Sequence, residues 1–267
     1  MKAHIVLAHP ERHSFNGLLA DTSKSRLDSA GWEVTFSDLY GMGFDPREAS
    51  EHYTERSDEA RFHAQTEQRF SADNDATPAD VQAEIDKVLA CDLLVVHFPL
   101  WWFGMPAIMK GWLDRVFVYG KMYRSAMRYD AGICAGKKMI ACVTTGASAN
   151  SCSFNGREAD TRLLVWPLVF PFRYVGFDVL EPEVLHGIGG VAFTEGHDDG
   201  TSALDRFAQH WSEQIANVSA RPVLPYNRDD EFDENLRLRQ DAPAHSPFIS
   251  HASNIPWPPA TGEGDPT

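Results

Sequence analysis

The sequence predicts an α/β fold, with a doubly wound parallel sheet of five strands in the order 2-1-3-4-5 and an extended C-terminal arm. Five short apolar runs recur along the 267-residue chain, each followed by a loop and then a helical pattern. Three of these runs are continuously apolar, as expected of parallel strands that are covered on both faces. No second core is visible, so alternating strands and helices describe one layered domain.

The apolar pattern of each predicted strand sets its place in the sheet. Runs one, three and four do not alternate and belong at the buried centre, whereas run two alternates and belongs at an edge. A short first strand, an edge second strand and a buried third strand favour the order 2-1-3-4-5. In chain order the runs are HIVLA (His4 to Ala8), WEVTFSDL (Trp32 to Leu39), DLLVVHF (Asp92 to Phe98), KMIACVTT (Lys138 to Thr145) and FDVLEPEVL (Phe177 to Leu185).

Four helices are predicted from apolar residues that recur on one face. Ser14 provides an N-cap for the first helix and Gly31 ends it, while Pro78 begins the second. A stripe from Ile108 to Phe117 marks the third helix, and one from Leu204 to Ile215 marks the fourth.

Two segments fall outside this alternation. Residues 41–80 form a polar insertion after the second strand, inside a predicted α/β domain of residues 1–219. Residues 220–267 are rich in proline, asparagine and acidic residues and have no helical or strand period. We predict that they form an extended arm over the domain or a partner subunit, with a mobile end at residues 260–267.

The composition excludes several classes of partner. A formal net charge of −14 would repel nucleic acid and anionic membranes. The uncharged run from Leu93 to Met109 approaches the length of a membrane helix, but Pro99, Gly104 and Pro106 would break it. Met1 leads directly into a strand, and Pro10 follows too early for a signal peptide, so we expect a cytoplasmic protein.

The four cysteines contain no C-x-x-C pair. We therefore expect buried, reduced thiols and no metal site. His4 and His97 lie in apolar runs and are expected to be structural histidines rather than catalytic ones. Asp114 and Arg115 are expected to form a pair at a helix surface or a dimer interface.

Three loops are expected to form the ligand site. Open parallel sheets bind ligands beyond the carboxyl ends of their strands, where the strand order reverses. In the predicted order, the loops at this point follow strands one, three and four and read HPERHSFN, PLWWFGMP and TTGASANS. The first loop leads into a helix, whose N-terminal amides suit a phosphate. It contains neither G-x-G-x-x-G nor G-x-x-x-x-G-K, which disfavours a Rossmann dinucleotide fold and a P-loop NTPase.

The middle loop carries flat aromatic surface where a buried strand ends. Trp102 and Phe103 would pack against a broad planar heterocycle, while Pro99 and Pro106 stiffen the backbone whose amides meet its polar edge. The alternative is that these aromatic side chains belong to the core. Two polar loops converge at the same place, which favours the binding site.

Five motifs follow one another along the chain: LAHPERHSFN, FPLWWFGMPAIMKGWLDRVF, YDAG, TTGAS and GFDVLEP. In order and spacing they resemble the NAD(P)H:quinone reductases of the DT-diaphorase type, closely from Lys2 to Glu183. The resemblance implies a flavodoxin-like homodimer with a non-covalently bound flavin. It also implies a ping-pong reaction, in which two electrons pass as hydride from NAD(P)H through flavin N5 to a quinone.

The resemblance also implies roles for individual residues. Tyr123 and Tyr174, supplied by the other subunit, would cover the substrate pocket. The polar insertion around residues 63–68 matches the longer family members, which use FAD rather than FMN. The flavin phosphate and ribityl chain would be contacted by His9, Ser14, Phe15 and Asn16. The wall of the isoalloxazine would be formed by Pro99, Leu100, Trp102 and Phe103. The loop over the pyrimidine end would consist of Thr144, Thr145, Gly146 and Ala147.

Two positions depart from the family pattern. Vertebrate relatives have a tyrosine and a histidine beside the N1 and O2 edge of the flavin, where this chain has Cys152 and Glu158. A carboxylate next to a developing negative charge is unfavourable. We therefore expect Glu158 to turn away or to be protonated, and the amides of Gly146 and Ala147 to stabilise the charge.

Other functions remain open at this point. A nitro- or azo-compound reductase belongs to the same enzyme class, because a reduced flavin in an open aromatic pocket serves both reactions. A flavin-binding regulatory subunit of a potassium-efflux system has a similar fold, although such subunits are shorter and lack the long tail. A one-electron flavodoxin is disfavoured, since the loop after strand one lacks a phosphate cradle rich in serine, threonine and glycine.

Overall fold

The computed structural model describes residues 1–189 and 202–251. The strands are β1 (Lys2–Leu7), β2 (Glu33–Asp38), β3 (Leu93–Pro99), β4 (Lys138–Thr144), β5 (Asp178–Val179) and β6 (Glu183–Leu185). The helices are α1 (Phe15–Ser29), α2 (Ala64–Asp73), α3 (Ala79–Ala90), α4 (Ala107–Val116), α5 (Thr161–Tyr174) and α6 (Ala203–Ala216). In this part of the chain, no helix is both long enough and apolar enough to cross a membrane.

The sheet has the predicted strand order, β2-β1-β3-β4-β5, with parallel pairing throughout. The central strand β3 is buried along its whole length, which explains its unbroken apolar sequence. The prediction of five strands is wrong in one respect, because residues 177–185 form two strands that both pair with β4. The break falls at Leu180, which bridges to Val223, and at Pro182, which has no N–H for the ladder.

All four predicted helices are confirmed, and their ends follow the expected local chemistry. Ser14 is the N-cap of α1 and accepts a hydrogen bond from the Gly17 N–H. Gly31 follows α1 with φ of 80°, a left-handed conformation that glycine adopts without strain. Pro78 is the N-cap of α3. The sequence did not predict α2, which lies in the polar insertion, or α5.

The unpredicted helix α5 contains two prolines, Pro167 and Pro171. Each proline lacks an N–H and leaves the carbonyl four residues earlier without its helical donor. Those carbonyls belong to Leu163 and Pro167, which are both exposed, so water can satisfy them. Asp160 caps the start of the helix by accepting a hydrogen bond from the Arg162 N–H.

A hydrogen-bonded polar group of three residues, Ser23, His97 and Trp211, joins the sheet to α1 and α6 inside an apolar core. The Ser23 hydroxyl lies 3.0 Å from Nε2 of His97 on β3 and accepts a 2.8 Å hydrogen bond from the Trp211 indole N–H. The rings of His97 and Trp211 meet edge to face at 5.5 Å. Burial lowers the pKa of His97 to about 3, so the ring is neutral. The prediction that His97 is a packed core histidine is confirmed.

A buried carboxylate occupies the other face of the sheet. Glu84 on α3 accepts hydrogen bonds from Ser37, Lys87 and the Trp112 indole, and its carboxylate lies 3.7 Å from His4. Burial alone would raise the pKa of Glu84, but these partners outweigh it and lower the pKa to about 2. His4 therefore has a structural place beside a buried charge, as predicted.

The predicted pairing of Asp114 with Arg115 is wrong. Arg115 is buried and binds Asp80 at 2.8 Å and the Asp45 carbonyl at 2.8 Å. Asp114 instead pairs with Lys110 at 2.5 Å, one turn earlier on the exposed face. Successive residues of a helix point in different directions, so these two side chains diverge.

The chain divides into two compact units, Met1–Val223 and Leu224–Thr267. In the described part of the second unit, side-chain hydrogen bonds hold an irregular backbone: Asn227 donates to Glu231 and to the Pro243 carbonyl. The end predicted to be mobile, residues 260–267, lies outside the described residues. The assignment of residues 1–219 as a flavin-binding domain and of 220–267 as an arm stays a prediction.

Candidate active site

The three predicted loops leave the sheet at one edge. Strands β1, β3 and β4 are neighbours, and Leu7 pairs with His97 while Pro99 pairs with Thr144. The Leu100 N–H continues this pairing by donating to the Thr144 carbonyl at 2.8 Å. The chain segments after these strands therefore start from adjacent positions, as the strand order requires.

The first loop closes tightly onto the start of α1. A Cβ added to Gly17 would lie 2.0 Å from the Arg12 carbonyl oxygen, so only glycine allows this approach. The first turn of α1 contains no acidic residue, which leaves its N-terminal amides suited to an anion. Ser14 is half-buried at this end. The Phe15 side chain packs against the core, so its backbone is the part that can contact a ligand.

Asn16 and His9 bring polar atoms to this end of the sheet. Asn16 is 4% exposed, and its amide nitrogen donates to the Thr144 hydroxyl at 2.8 Å. Its carbonyl oxygen Oδ1 has no partner among the described residues, although a buried oxygen normally has one. The His9 Nδ1 lies 3.0 Å from the Glu11 carbonyl oxygen and 3.1 Å from the Glu11 amide nitrogen, which ties the ring to the loop. The His9 ring lies 5.9 Å from that of Trp101.

The middle loop is a tight turn under backbone strain. Trp101 and Gly104 exchange two 3.0 Å backbone hydrogen bonds, and the two residues between them, Trp102 and Phe103, have φ of 51° and 60°. Residues with side chains rarely adopt this left-handed conformation, and such strain concentrates at functional sites. The turn leaves Trp102 95% exposed and Phe103 51% exposed. These aromatic rings are therefore not core, which answers the alternative raised by the sequence.

The third loop is ordered by Thr145. Its hydroxyl donates to the Ala147 carbonyl at 3.1 Å and accepts the Ala147 N–H at 3.0 Å. The Thr145 N–H donates to the Leu185 carbonyl on β6, which fixes the loop to the sheet. Gly146 lies between these anchors, and a Cβ added to it would meet nothing within 4 Å.

A cleft of about 280 Å³ combines the middle and third loops. Cys152 and Glu158 belong to its wall, as their positions in the family pattern implied. Cys152 is 6% exposed, with its sulfur 4.0 Å from the Thr145 hydroxyl. The Glu158 carboxylate lies 4.0 Å from the Arg157 guanidinium. The complete lining is Leu100, Trp102, Phe103, Thr145, Gly146, Ala147, Cys152, Glu158, Thr161 and Leu164.

Two residues of the cleft, Thr161 and Leu164, were missed by the sequence analysis. Both lie on the first turn of α5, which the sequence did not predict. The signal was present in Asp160, because an aspartate before an apolar run is typical of a helix start. The two prolines that follow obscure it.

Tyr123 and Tyr174 lie elsewhere in the chain. Their rings meet edge to face at 5.4 Å in the wall of a second cavity of about 570 Å³. This cavity shares no lining residue with the cleft. Its lining is Glu48, Ala64, Gln65, Gln68, Lys110, Leu113, Asp114, Phe117, Tyr123, Pro167, Phe170, Pro171, Tyr174 and Val175.

Comparison with known proteins places the fold in a family. The model of the flavodoxin-like fold family Flavodoxin_2 matches residues 1–215. NAD(P)H dehydrogenase (quinone) 1 of Rattus norvegicus is 40% identical over 238 residues, which are 88% of this chain and 84% of the relative. Ribosyldihydronicotinamide dehydrogenase (quinone) of Pongo abelii is 38% identical over 185 residues, 68% of this chain and 80% of the relative.

A solved structure agrees with these sequence relatives. The crystal structure of a putative quinone reductase from Klebsiella pneumoniae superimposes with a TM-score of 0.80 at 29% identity, covering 90% of this chain and 94% of the other. The fold and the cleft thus define a flavodoxin-like oxidoreductase. More particularly, the chain belongs to the NAD(P)H:quinone reductase family, as its motifs predicted.

Proposed function

We propose that this chain is an FAD-containing NAD(P)H:quinone oxidoreductase that works as a homodimer. The observation that carries the proposal is the strained turn that holds Trp102, 95% exposed, at the cleft wall. A planar ring stacked in the cleft would explain both the exposed indole and the strain. The names of the relatives supply the donor, NAD(P)H, and the acceptor, a quinone.

The residues of the cleft, together with others at the same edge of the sheet, suit a flavin. The unpartnered Asn16 oxygen and the N-terminal amides of α1 would meet the polar ribityl and phosphate groups, together with His9 and Ser14. The rings and amides from Pro99 to Phe103 would form the wall of the isoalloxazine, with Leu100 beneath it. Thr144, Thr145, Gly146 and Ala147 would cover the pyrimidine end.

When bound, the flavin supplies hydride transfer, accepting from the nicotinamide and later donating to the quinone. The protein's part is to hold both partners parallel at contact distance and to exclude water. Trp102, Phe103 and Leu164 provide apolar surface for this purpose. Because one pocket receives both substrates in turn, the oxidised nicotinamide leaves before the quinone binds.

Negative charge that develops on a bound group in the cleft requires a hydrogen-bond donor from the protein. Of the two amides that the sequence indicated, the Ala147 N–H already donates to Thr145, so the Gly146 N–H is the better placed of the two. We expect Cys152→Ala and Glu158→Gln to leave flavin reduction by NAD(P)H within about threefold of the parent rate. Anaerobic stopped-flow bleaching of the flavin measures this rate. Loss of reduction in either variant would assign the charge stabilisation to that side chain instead.

Support for FAD over FMN comes from the insertion. Its helix α2 brings Gln65 and Gln68 into the wall of the second cavity, beside Tyr123. A flavin with an adenine half needs such additional surface, and FMN does not.

The location in the cytoplasm also stays a prediction, supported by four free, buried thiols.

The homodimer is part of the proposal because Tyr123 and Tyr174 line a cavity separate from the cleft of their own chain. A second copy could bring them over the first copy's cleft. They would then cover the quinone with half-exposed rings and hydroxyls.

Steady-state turnover on matched panels tests the proposed activity. We expect quinones to be reduced with NADH or NADPH at least about tenfold more efficiently, by kcat/KM, than nitroaromatic compounds and azo dyes. The reverse order would make the enzyme a nitro- or azoreductase. Turnover of none of these acceptors by a flavin-loaded protein would favour the regulatory subunit.

A further inference from the structure

A buried threonine and a histidine form a hydrogen-bonded pair at the cleft. Thr161, the first residue of α5, is 3% exposed and belongs to the cleft lining. Its hydroxyl lies 3.0 Å from Nε2 of His186, which directly follows β6. The last residue of β6, Leu185, accepts the Thr145 N–H. The pair is therefore attached to the same loop that carries the pyrimidine-end residues.

The charge of the histidine decides what the hydroxyl offers to the cleft. A threonine hydroxyl has one proton and two lone pairs. When Nε2 of His186 is unprotonated, Thr161 donates its proton to the ring and presents lone pairs elsewhere. When the ring is protonated, Nε2–H donates to Thr161, and the hydroxyl proton is released to point at another acceptor. The hydroxyl becomes a donor to the cleft when Nε2 carries a proton, as it always does in the charged ring.

The surroundings of His186 lower its pKa overall, so the ring gains its charge below its ordinary titration range. Burial lowers its pKa, while a backbone hydrogen bond at Val184 and the negative charge of Glu183 oppose that effect. The neighbouring α5 begins with Asp160, whose carboxylate is bound by Arg162. Among the other ionisable groups at the cleft are the Glu158 carboxylate and the Cys152 thiol.

Other polar side chains at the cleft are poorly suited to supply a proton. The Thr145 hydroxyl donates its proton to the Ala147 carbonyl. Cys152 carries a weak donor, and an ionised Glu158 is an acceptor only. Thr161 is connected to a base that can be recharged from solvent, because His186 is only half-buried.

We propose that Thr161 and His186 form the proton relay of the cleft, an inference that rests on the proposed quinone reductase function. The overall reaction takes NAD(P)H, one proton and a quinone to NAD(P)⁺ and a hydroquinone. The hydride carries both electrons. For the remaining proton, the Nε2–H bond of His186 breaks as a new bond to Thr161 Oγ1 forms, and the original hydroxyl proton passes to the reduced acceptor. Solvent then reprotonates the ring. Thr161 is the catalytic residue, and His186 acts through it.

Four variants test the relay. Thr161→Val keeps the volume and removes the hydroxyl, His186→Gln removes the titrating ring, and Thr161→Ser restores the hydroxyl. His210→Gln is the matched control, because His210 also pairs with Glu183, at 3.0 Å, but does not line the cleft. The rate at which a quinone reoxidises the NADPH-reduced flavin is measured anaerobically by stopped flow between pH 5.5 and 9.

We expect the parent rate to fall as pH rises through the pKa of His186. Thr161→Val and His186→Gln should be slower by about 10- to 100-fold at the low-pH end, the value of one charge-assisted hydrogen bond, and nearly independent of pH. Thr161→Ser and His210→Gln should keep the parent profile. An unchanged pH profile in both Thr161→Val and His186→Gln overturns the relay.

A second measurement requires neither turnover nor a variant. The ring of His186 is titrated by NMR in the flavin-loaded protein, oxidised and reduced. Its pKa should rise by about one unit or more on reduction, because negative charge then lies across Thr161. An equal pKa in both states rejects the relay even if quinone reductase activity is established. A protein that binds no flavin removes the proposed function, and the relay with it.

Discussion

At the scale of single residues, the site depends on atoms that the fold leaves unsatisfied or strained. Trp102 and Phe103 have left-handed backbone conformations, and the buried Asn16 carbonyl oxygen has no partner within residues 1–189 and 202–251. Each of these features costs stability in the protein alone. A bound planar cofactor with a polar chain would offset those costs, so the backbone strain of the free protein is linked to ligand binding.

This relation predicts opposite effects of one substitution on stability and on binding. Trp102→Gly should leave the apoprotein as stable as the parent or stabilise it by about 1 kcal/mol, because glycine adopts φ near 51° without strain. The same change should weaken FAD binding at least about tenfold, through loss of the stacking surface. Urea unfolding of the apoprotein and fluorescence titration with FAD measure the two effects.

Leu236→Gly is the matched control for Trp102→Gly. Leu236 is 80% exposed and has φ of 60°, but it lies in the second compact unit, outside the cleft lining. It should show the same relief of strain with unchanged affinity for FAD. Parent affinity in Trp102→Gly would mean that the indole does not contact the flavin.

At the scale of helices and strands, the sequence predicted the elements whose pattern matches their environment. The unbroken apolar run of β3 and the cap residue Ser14 are local signals, and both were read correctly. Helix α5 was not predicted because Pro167 and Pro171 contradict a helix locally, whereas its Asp160 cap and its buried face against the domain support it. The fifth strand was predicted as one continuous run because apolar residues lie on both sides of Glu181, Pro182 and Glu183, although Pro182 has no N–H for the ladder. Tertiary context decided both cases.

The polar group between β3, α1 and α6 predicts how stability depends on pH. The folded chain keeps His97 neutral, with a pKa of about 3, whereas the unfolded chain protonates it near its ordinary pKa of 6.5. As pH falls below 6.5, the unfolded state binds a proton that the folded state does not, so the free energy of unfolding decreases. Between pH 6.5 and 4.5 this loss should amount to roughly 2 kcal/mol.

Urea unfolding at several pH values, for the parent and for His97→Gln, isolates this contribution. The glutamine amide can hydrogen-bond to Ser23 as donor or as acceptor, so the variant should fold while losing the part of the pH slope due to His97. Comparing the two proteins cancels the other histidines. The comparison stops at pH 4.5 because Glu84 contributes a second pH effect below it. The pKa of Glu84 is lowered to about 2 in the folded chain, so its carboxylate is protonated first in the unfolded chain and the free energy of unfolding decreases further. Identical slopes in the two proteins would show that His97 is protonated in the folded state.

At the scale of the whole molecule, the proposed active site extends beyond one chain. The family resemblance of the sequence assigned Tyr123 and Tyr174 to the partner subunit, but no local pattern carries that information. The two tyrosines adjoin each other and Gln65 in one cavity, while the strained aromatic turn borders another. Sequence periodicity reports burial within a chain, so it does not distinguish a surface that meets solvent from one that meets a second copy.

Mixed dimers test the sharing of the site. One subunit carries Trp102→Gly, and the other carries Tyr123→Leu with Tyr174→Leu. If the tyrosines act across the dimer, the mixed dimer contains one site with an intact flavin wall and intact tyrosines, and should recover about half of the parent activity. Each homodimer alone should be strongly impaired. No recovery in a verified mixed dimer would place the tyrosines at the site of their own chain.

Identification of the bound cofactor tests the central claim most directly. The protein is purified without added flavin, denatured, and the released small molecule is identified by mass, while a second sample is mixed anaerobically with NADPH and then with a quinone. We predict a yellow protein that releases one FAD per chain, bleaches with NADPH and regains its colour with the quinone. A colourless protein that takes up neither FAD nor FMN would contradict it.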